Sequence, residues 1–66
     1  MKVGNLVKLR AIVYHESGTY KPGVIGIILK TYEPTIHDAR AIAYVEFGGS
    51  CISCHWHELE VVSESR

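Results

Sequence analysis

A chain of 66 residues with seven Lys and Arg against seven Asp and Glu has room for one domain and a formal net charge of zero. At this size folding removes only about 60% of the unfolded chain's surface from water, so the core is small, and with no net positive field any nucleic-acid or anionic-membrane role needs a local patch. The opening MKVGNLVKLRAIV is broken by Gly4, Asn5, Lys8 and Arg10, which leaves no apolar run for a secretory signal, and no segment approaches the roughly 18 apolar residues of a membrane helix.

A soluble cytoplasmic protein is therefore expected, with both cysteines as reduced thiols. Residues 5–13, NLVKLRAIV, put Val7, Leu9 and Ala11 on one face and Lys8 and Arg10 on the other, the alternation of a half-buried strand. The polar stretch 14–23, YHESGTYKPG, contains Gly18 and the pair Pro22 and Gly23, and predicts a loop ending in a turn. Residues 24–32, VIGIILKTY, are β-branched and too short for a typical helix. They predict a second strand, and their apolar side chains fall on both of its faces: Ile25, Ile27 and Leu29 on one, Val24, Gly26 and Ile28 on the other. One explanation is a bulge at Gly26 that moves the register. The other is a face or edge that packs on a second protomer, so a homo-oligomer through residues 24–29 is an expected partner arrangement.

A second loop follows at 33–40, where Pro34 excludes a central strand position. Residues 41–47, AIAYVEF, alternate Ala41, Ala43, Val45 and Phe47 against Ile42, Tyr44 and Glu46, giving a third strand. Gly48 and Gly49 signal a hairpin into a fourth strand at 50–56. His57, Glu58 and Leu59 are expected to form one helical turn before a short strand at 60–62, and residues 63–66 a polar tail. Five short strands with turn residues between them and no helical period define an all-β barrel or small sandwich, one domain over residues 1–62.

The segments VGNLVKLR, GVIGIILK, AYVEF and HELEVV resemble the SH3-like barrel pattern shared by KOW-type domains, the small accessory subunit of photosystem I and related electron-transport accessory domains. More closely, the chain resembles short SH3-like proteins encoded by marine phages, which open on VGDLV and close on ELEVV. Asn5 stands where Asp is usual in that opening, a turn-compatible exchange. The resemblance implies a small five-stranded SH3-like barrel with one short helical turn before the last strand, and phage encoding would place it in the host cytoplasm. It supplies neither metal ligands nor catalytic residues.

The densest chemistry lies in CISCHWH, residues 51–57, whose first five letters match the c-type haem attachment pattern. On an extended strand residues three apart are separated by about 10 Å and point to opposite faces. Cys51 and Cys54 then cannot form a disulfide or share one tetrahedral zinc, and no cofactor is expected. Strand alternation instead puts Cys51, His55 and His57 on one face, where His55 and His57 offer a pair of metal ligands with Cys51, or His15 or His37 if a loop folds over, as the third, while Ile52 and Cys54 face the core.

Tyr14, Tyr20, Tyr32, Tyr44 and Trp56 are many aromatics for this length, and Tyr14, Tyr20, Tyr32 and Trp56 are the candidate partner-binding residues. Lys21, Lys30 and Arg40 lie near them in sequence, so stacking rings with scattered cations offer an alternative, binding of RNA or single-stranded nucleic acid. No Ser-His-acid set, paired carboxylates or phosphate loop accompanies the histidines, which argues against an enzyme. The expected function is a non-catalytic interaction module that binds a protein partner or itself.

Overall fold

The computed structural model describes residues 1–63. Seven strands and one 3-10 turn follow in order: β1 (Leu6–Leu9), β2 (Val13–His15), β3 (Gly18–Tyr20), β4 (Ile25–Tyr32), β5 (Ile42–Phe47), β6 (Ser50–His55), the turn Trp56–Glu58, and β7 (Leu59–Ser63). Five of them form one antiparallel sheet in the order β6-β5-β4-β1-β7, and β2 and β3 form a separate hairpin. The all-β class, the five-stranded sheet and the short helical turn before the last strand are as expected from the sequence.

Nine apolar residues form the core: Val7, Leu9, Ile28, Ala43, Val45, Phe47, Ile52, Cys54 and Leu59, each no more than 3% exposed. All five strands of the sheet contribute, each from the same face, as strand alternation requires. A flat sheet with no second layer could not dry one face so completely. The sheet therefore curls around its own side chains, and Met1, Val13, Tyr20, Val24 and Trp56 close the gaps.

Two register irregularities allow the curl. Between Ile28 and Lys30 the pairing of β4 with β5 skips Leu29, and between Leu6 and Val7 the pairing of β1 with β7 shifts. Each extra residue bends its strand and increases local twist. The β4 bulge thus sits at Leu29 and not at Gly26. Gly26 instead permits a close approach of two strands, since a Cβ there would stand 2.6 Å from the Glu46 carbonyl oxygen and 2.6 Å from Val45 Cγ1. The hairpin between β5 and β6 turns on Gly48 and Gly49 at φ 58° and 94°, values that a two-residue primed turn demands of both central residues.

The first predicted strand and loop need correction. β1 stops at Leu9, because Arg10 N–H leaves the ladder to donate to the Glu58 carbonyl at 2.7 Å, and Ala11 is exposed. The supposed loop is instead the hairpin of β2 and β3, in which Val13 pairs with Tyr20 and both turn partly inward onto the core. Its polar tip hides four strand formers, Val13, Tyr14, Thr19 and Tyr20. The tip is braced locally: Ser17 Oγ lies 3.0 Å from His15 Nδ1 and 2.8 Å from the Tyr20 hydroxyl.

At the other end the 3-10 turn begins one residue earlier than expected, and β7 correspondingly runs from Leu59. His55 N–H donates to the Glu58 carboxylate at 2.9 Å, which satisfies a backbone donor at the entry to the turn. Ser63 pairs with Leu6 and so belongs to the sheet, not to the tail, whose other residues, 64–66, lie outside the described part. Asn5 is 4% exposed, and its Oδ1 accepts the Lys2 N–H at 2.9 Å. A neutral amide makes this bond without the cost of a buried carboxylate.

Candidate functional site

β4 is the middle strand of the sheet, hydrogen-bonded on both sides, and its burial alternates strictly from Ile25 to Ile28. Gly26 and Ile28 point inward. Ile25, Ile27 and Leu29 point outward and are 46%, 42% and 48% exposed, beside Leu6 at 37%. The register fixes their neighbours: Ile27 lies between Leu6 of β1 and Glu46 of β5, and Ile25 lies beside Lys8, which in turn faces Glu60 of β7.

Beyond the Leu29 bulge the outward face continues with Lys30 paired to Tyr44 and Tyr32 paired to Ile42. The Tyr32 and Tyr44 rings meet edge to face at 5.8 Å, and Lys30 Nζ sits 5.1 Å above the Tyr32 ring. A hydrogen bond to the Tyr32 hydroxyl, and secondarily its charge, raises the Lys30 pKa. Here the face opens into a cavity of about 400 Å³ lined by Tyr32, Glu33, Thr35, Asp38, Arg40, Ile42 and Tyr44. Its outer wall is a tight turn in which Thr35 Oγ1 accepts the His37 and Asp38 N–H groups and Thr35 N–H donates to the Asp38 carbonyl.

Arg40 grips Asp38 with two guanidinium N–H groups, at 3.1 and 3.0 Å, and with its backbone N–H at 3.0 Å. Those hydrogen bonds, side chain first, hold the Asp38 carboxyl down at about 2, and Asp38 in turn raises Arg40. The pair is exposed, so it fixes the shape of the turn more than it stabilises the fold. It also cancels its own charge. With Glu33 also in its lining, the cavity has no net positive field for a phosphate backbone.

The four predicted partner-binding aromatics do not form one groove. Trp56 packs on the core side, where its Nε1 donates to Thr31 Oγ1 at 3.0 Å, whereas Tyr32, the next residue of β4, lies on the outward face. Tyr20 packs on Phe47 at 5.7 Å at the opposite end of β5, its hydroxyl pKa lowered by hydrogen bonds with Ser17 and then Ser50. Tyr14 projects from the hairpin, 78% exposed. Of the predicted cations, Lys30 and Arg40 flank the Tyr32 ring and the cavity, whereas Lys21 follows β3 and stands apart from them. Tyr44 completes the cluster. The i, i+2 spacing of Lys30 and Tyr32 is visible in the sequence, but the bulge that brings Tyr44 level with Lys30 is not.

The Cys and His segment resolves into separate roles. Cys51 is exposed and Cys54 buried, on opposite faces of β6. Cys51 and His55, four apart on the strand, are separated by about 13 Å. His57 has left the strand for the 3-10 turn, where its ring stacks on that of His55 with centroids 5.4 Å apart. Among the described residues no three His, Cys, Asp or Glu side chains are placed to hold one metal ion, which corrects the grouping of Cys51 with His55 and His57.

Burial, with a smaller contribution from the Glu58 carboxylate, pushes the Cys54 thiol up to about 11. The two cysteines should therefore separate on alkylation of the native protein at neutral pH: mass spectrometry is expected to find one adduct, on Cys51, and a second only after denaturation. Native-state modification of Cys54 at a comparable rate would show that β6 opens. The sign for stability is fixed too. Above the ordinary thiol value of 9.0 the unfolded chain releases this proton while the folded chain keeps it to about 11, so Cys54 lowers stability progressively across that window.

Compared with known proteins, the chain matches no family, no curated protein and no solved structure. Among the described residues no helix is long and apolar enough to cross a membrane.

Proposed function

We propose that this chain is a non-catalytic interaction module of the SH3-like barrel type, and that its contact surface is the outward face of β4. One observation carries this: on β4, the central strand with β1 on one side and β5 on the other, Ile25, Ile27 and Leu29 are each more than two-fifths exposed beside Leu6. Contiguous apolar surface of this kind, rimmed by charge, marks a docking site on a soluble domain. Support for the barrel type comes from the element order, in which a hairpin follows the first sheet strand and a 3-10 turn precedes the last. An exposed free thiol at Cys51 suits a reducing cytoplasm.

The His15, Ser17 and Tyr20 hydrogen-bond chain does not alter the non-catalytic assignment. It lies exposed on a hairpin tip, and its contacts brace that tip.

Ile27→Lys tests the surface. The new ammonium lies across from Glu46, so the fold should be kept while an apolar contact is blocked. Proteins that co-purify with the tagged wild-type chain, further copies of itself included, are expected to be lost with the variant at an unchanged melting temperature. Equal retention would overturn the assignment.

A further inference from the structure

We infer that the outward face of β4 docks on the same face of a second copy of this chain, with the two-fold axis lying in the interface parallel to β4. The inference rests on that face being the interaction surface, and adds the identity and orientation of the partner.

The charges at its two borders supply the reason. Among the described residues the only ion pair is Arg40 with Asp38, so within them neither Lys8, bordering the apolar stripe on the β1 side, nor Glu46, bordering it on the β5 side, has an ion-pair partner. Glu60 faces Lys8 across the β1 and β7 ladder without forming an ion pair. A two-fold axis along β4 exchanges the two borders: the β1 side of one copy lies over the β5 side of the other. Lys8 and Glu46 are one row apart along the strands, a step of about 7 Å that a lysine side chain spans. Each copy then offers a cation to the other's anion, twice, around a centre where Ile25, Ile27 and Leu29 stack on their counterparts.

The other in-plane axis, perpendicular to β4 through Ile27, fails on the same charges. It lays β5 over β5 and brings Glu46 against the Glu46 of the partner copy, two carboxylates at the rim with no cation between them. Face-to-face sheet packing tolerates the parallel arrangement, since the inner faces of stacked sheets align to within about 30°. The zero net charge of the chain adds no long-range repulsion between copies. An isologous contact of this kind closes on itself and leaves no free apolar face to propagate.

Sedimentation equilibrium on the full chain at high micromolar concentration tests it, with a thermal melt of every variant to establish that the measured species is folded. The wild type is expected at twice the 7.4 kDa chain mass. Ile27→Lys, and independently Ile25→Glu, which faces Lys8, are expected at the mass of one chain. Lys8→Glu and Glu46→Lys should each weaken association by about tenfold or more, and the double variant, which restores opposite charges across the axis, should recover most of the loss.

A monomeric wild type would overturn the second copy as partner. The surface itself would survive that result if Ile27→Lys still abolished binding of a different protein. A dimer indifferent to Ile27→Lys would overturn both, and failure of the double variant to recover would overturn the parallel axis.

Discussion

Replacing Gly26 by alanine is expected to cost this protein most of its stability. The position is central in β4 and faces inward, and the added methyl would stand 2.6 Å from the Glu46 carbonyl oxygen, 2.6 Å from Val45 Cγ1 and 2.7 Å from Phe47 Cδ1. None of these can swing aside, because the oxygen belongs to the backbone of β5 and both side chains are buried to 3% exposure or less. Real Cβ atoms do not approach so closely, so β5 must move away from β4, and the core seam between Val45, Phe47 and Ile28 opens with it. Overpacking of a tight core costs about 1–3 kcal/mol, occasionally more, against the roughly 3–5 kcal/mol that a core of this size supplies. A fall in melting temperature of about 10 °C or more, read by circular dichroism, follows from the steep response of small domains. A variant melting within a few degrees of the wild type would show that the approach of β5 to β4 is looser than the distances state.

Gly26 also shows what is legible in the sequence and what is not. A glycine inside VIGIILKTY marks an irregular strand, and either a bulge or a close approach satisfies that signal. The choice depends on what lies across the ladder, and this is set by β5, some 20 residues further on. Alternation of apolar and polar residues is local information, and it places Val7 and Leu9, then Ala43, Val45 and Phe47, then Ile52 and Cys54 on the buried face correctly. The hairpin of β2 and β3 escapes such a reading because its strands are three residues long and its tip is polar. Its burial comes from one cross-strand pair, Val13 with Tyr20, that no period could reveal. The candidate site is half legible. Ile25, Ile27 and Leu29 stand out as an unexplained second apolar face, but the union of that face with Lys30, Tyr32 and Tyr44 requires the bulge at Leu29. The expected metal grouping fails for the opposite reason: it extends strand alternation into His57, where the chain has already turned.

Adjacent isoleucines on β4 provide the sharpest contrast between fold and function. Ile28 is fully buried, 0% exposed, between the β1 and β5 residues of the core, and Ile27, one residue before it, is 42% exposed on the other face. Truncating Ile28 to alanine removes three buried carbons and leaves a cavity that the curled sheet, pinned by hydrogen bonds from the Gly4 N–H to the Ile28 carbonyl and from the Ile28 N–H to the Asn5 carbonyl, cannot close. Such changes cost about 2–5 kcal/mol, comparable with the whole stability of a domain this size. Ile28→Ala is therefore expected to be largely unfolded at 37 °C, with lost dispersion in its amide NMR spectrum and a broad, low thermal transition. Ile27→Ala removes the same atoms from a half-wet site. It should melt within a few degrees of the wild type and lose only contacts made on the outward face. Equal melting temperatures for the two variants would mean that the faces of β4 are not distinguished as the register requires, since a one-residue slip is the single change that would exchange them.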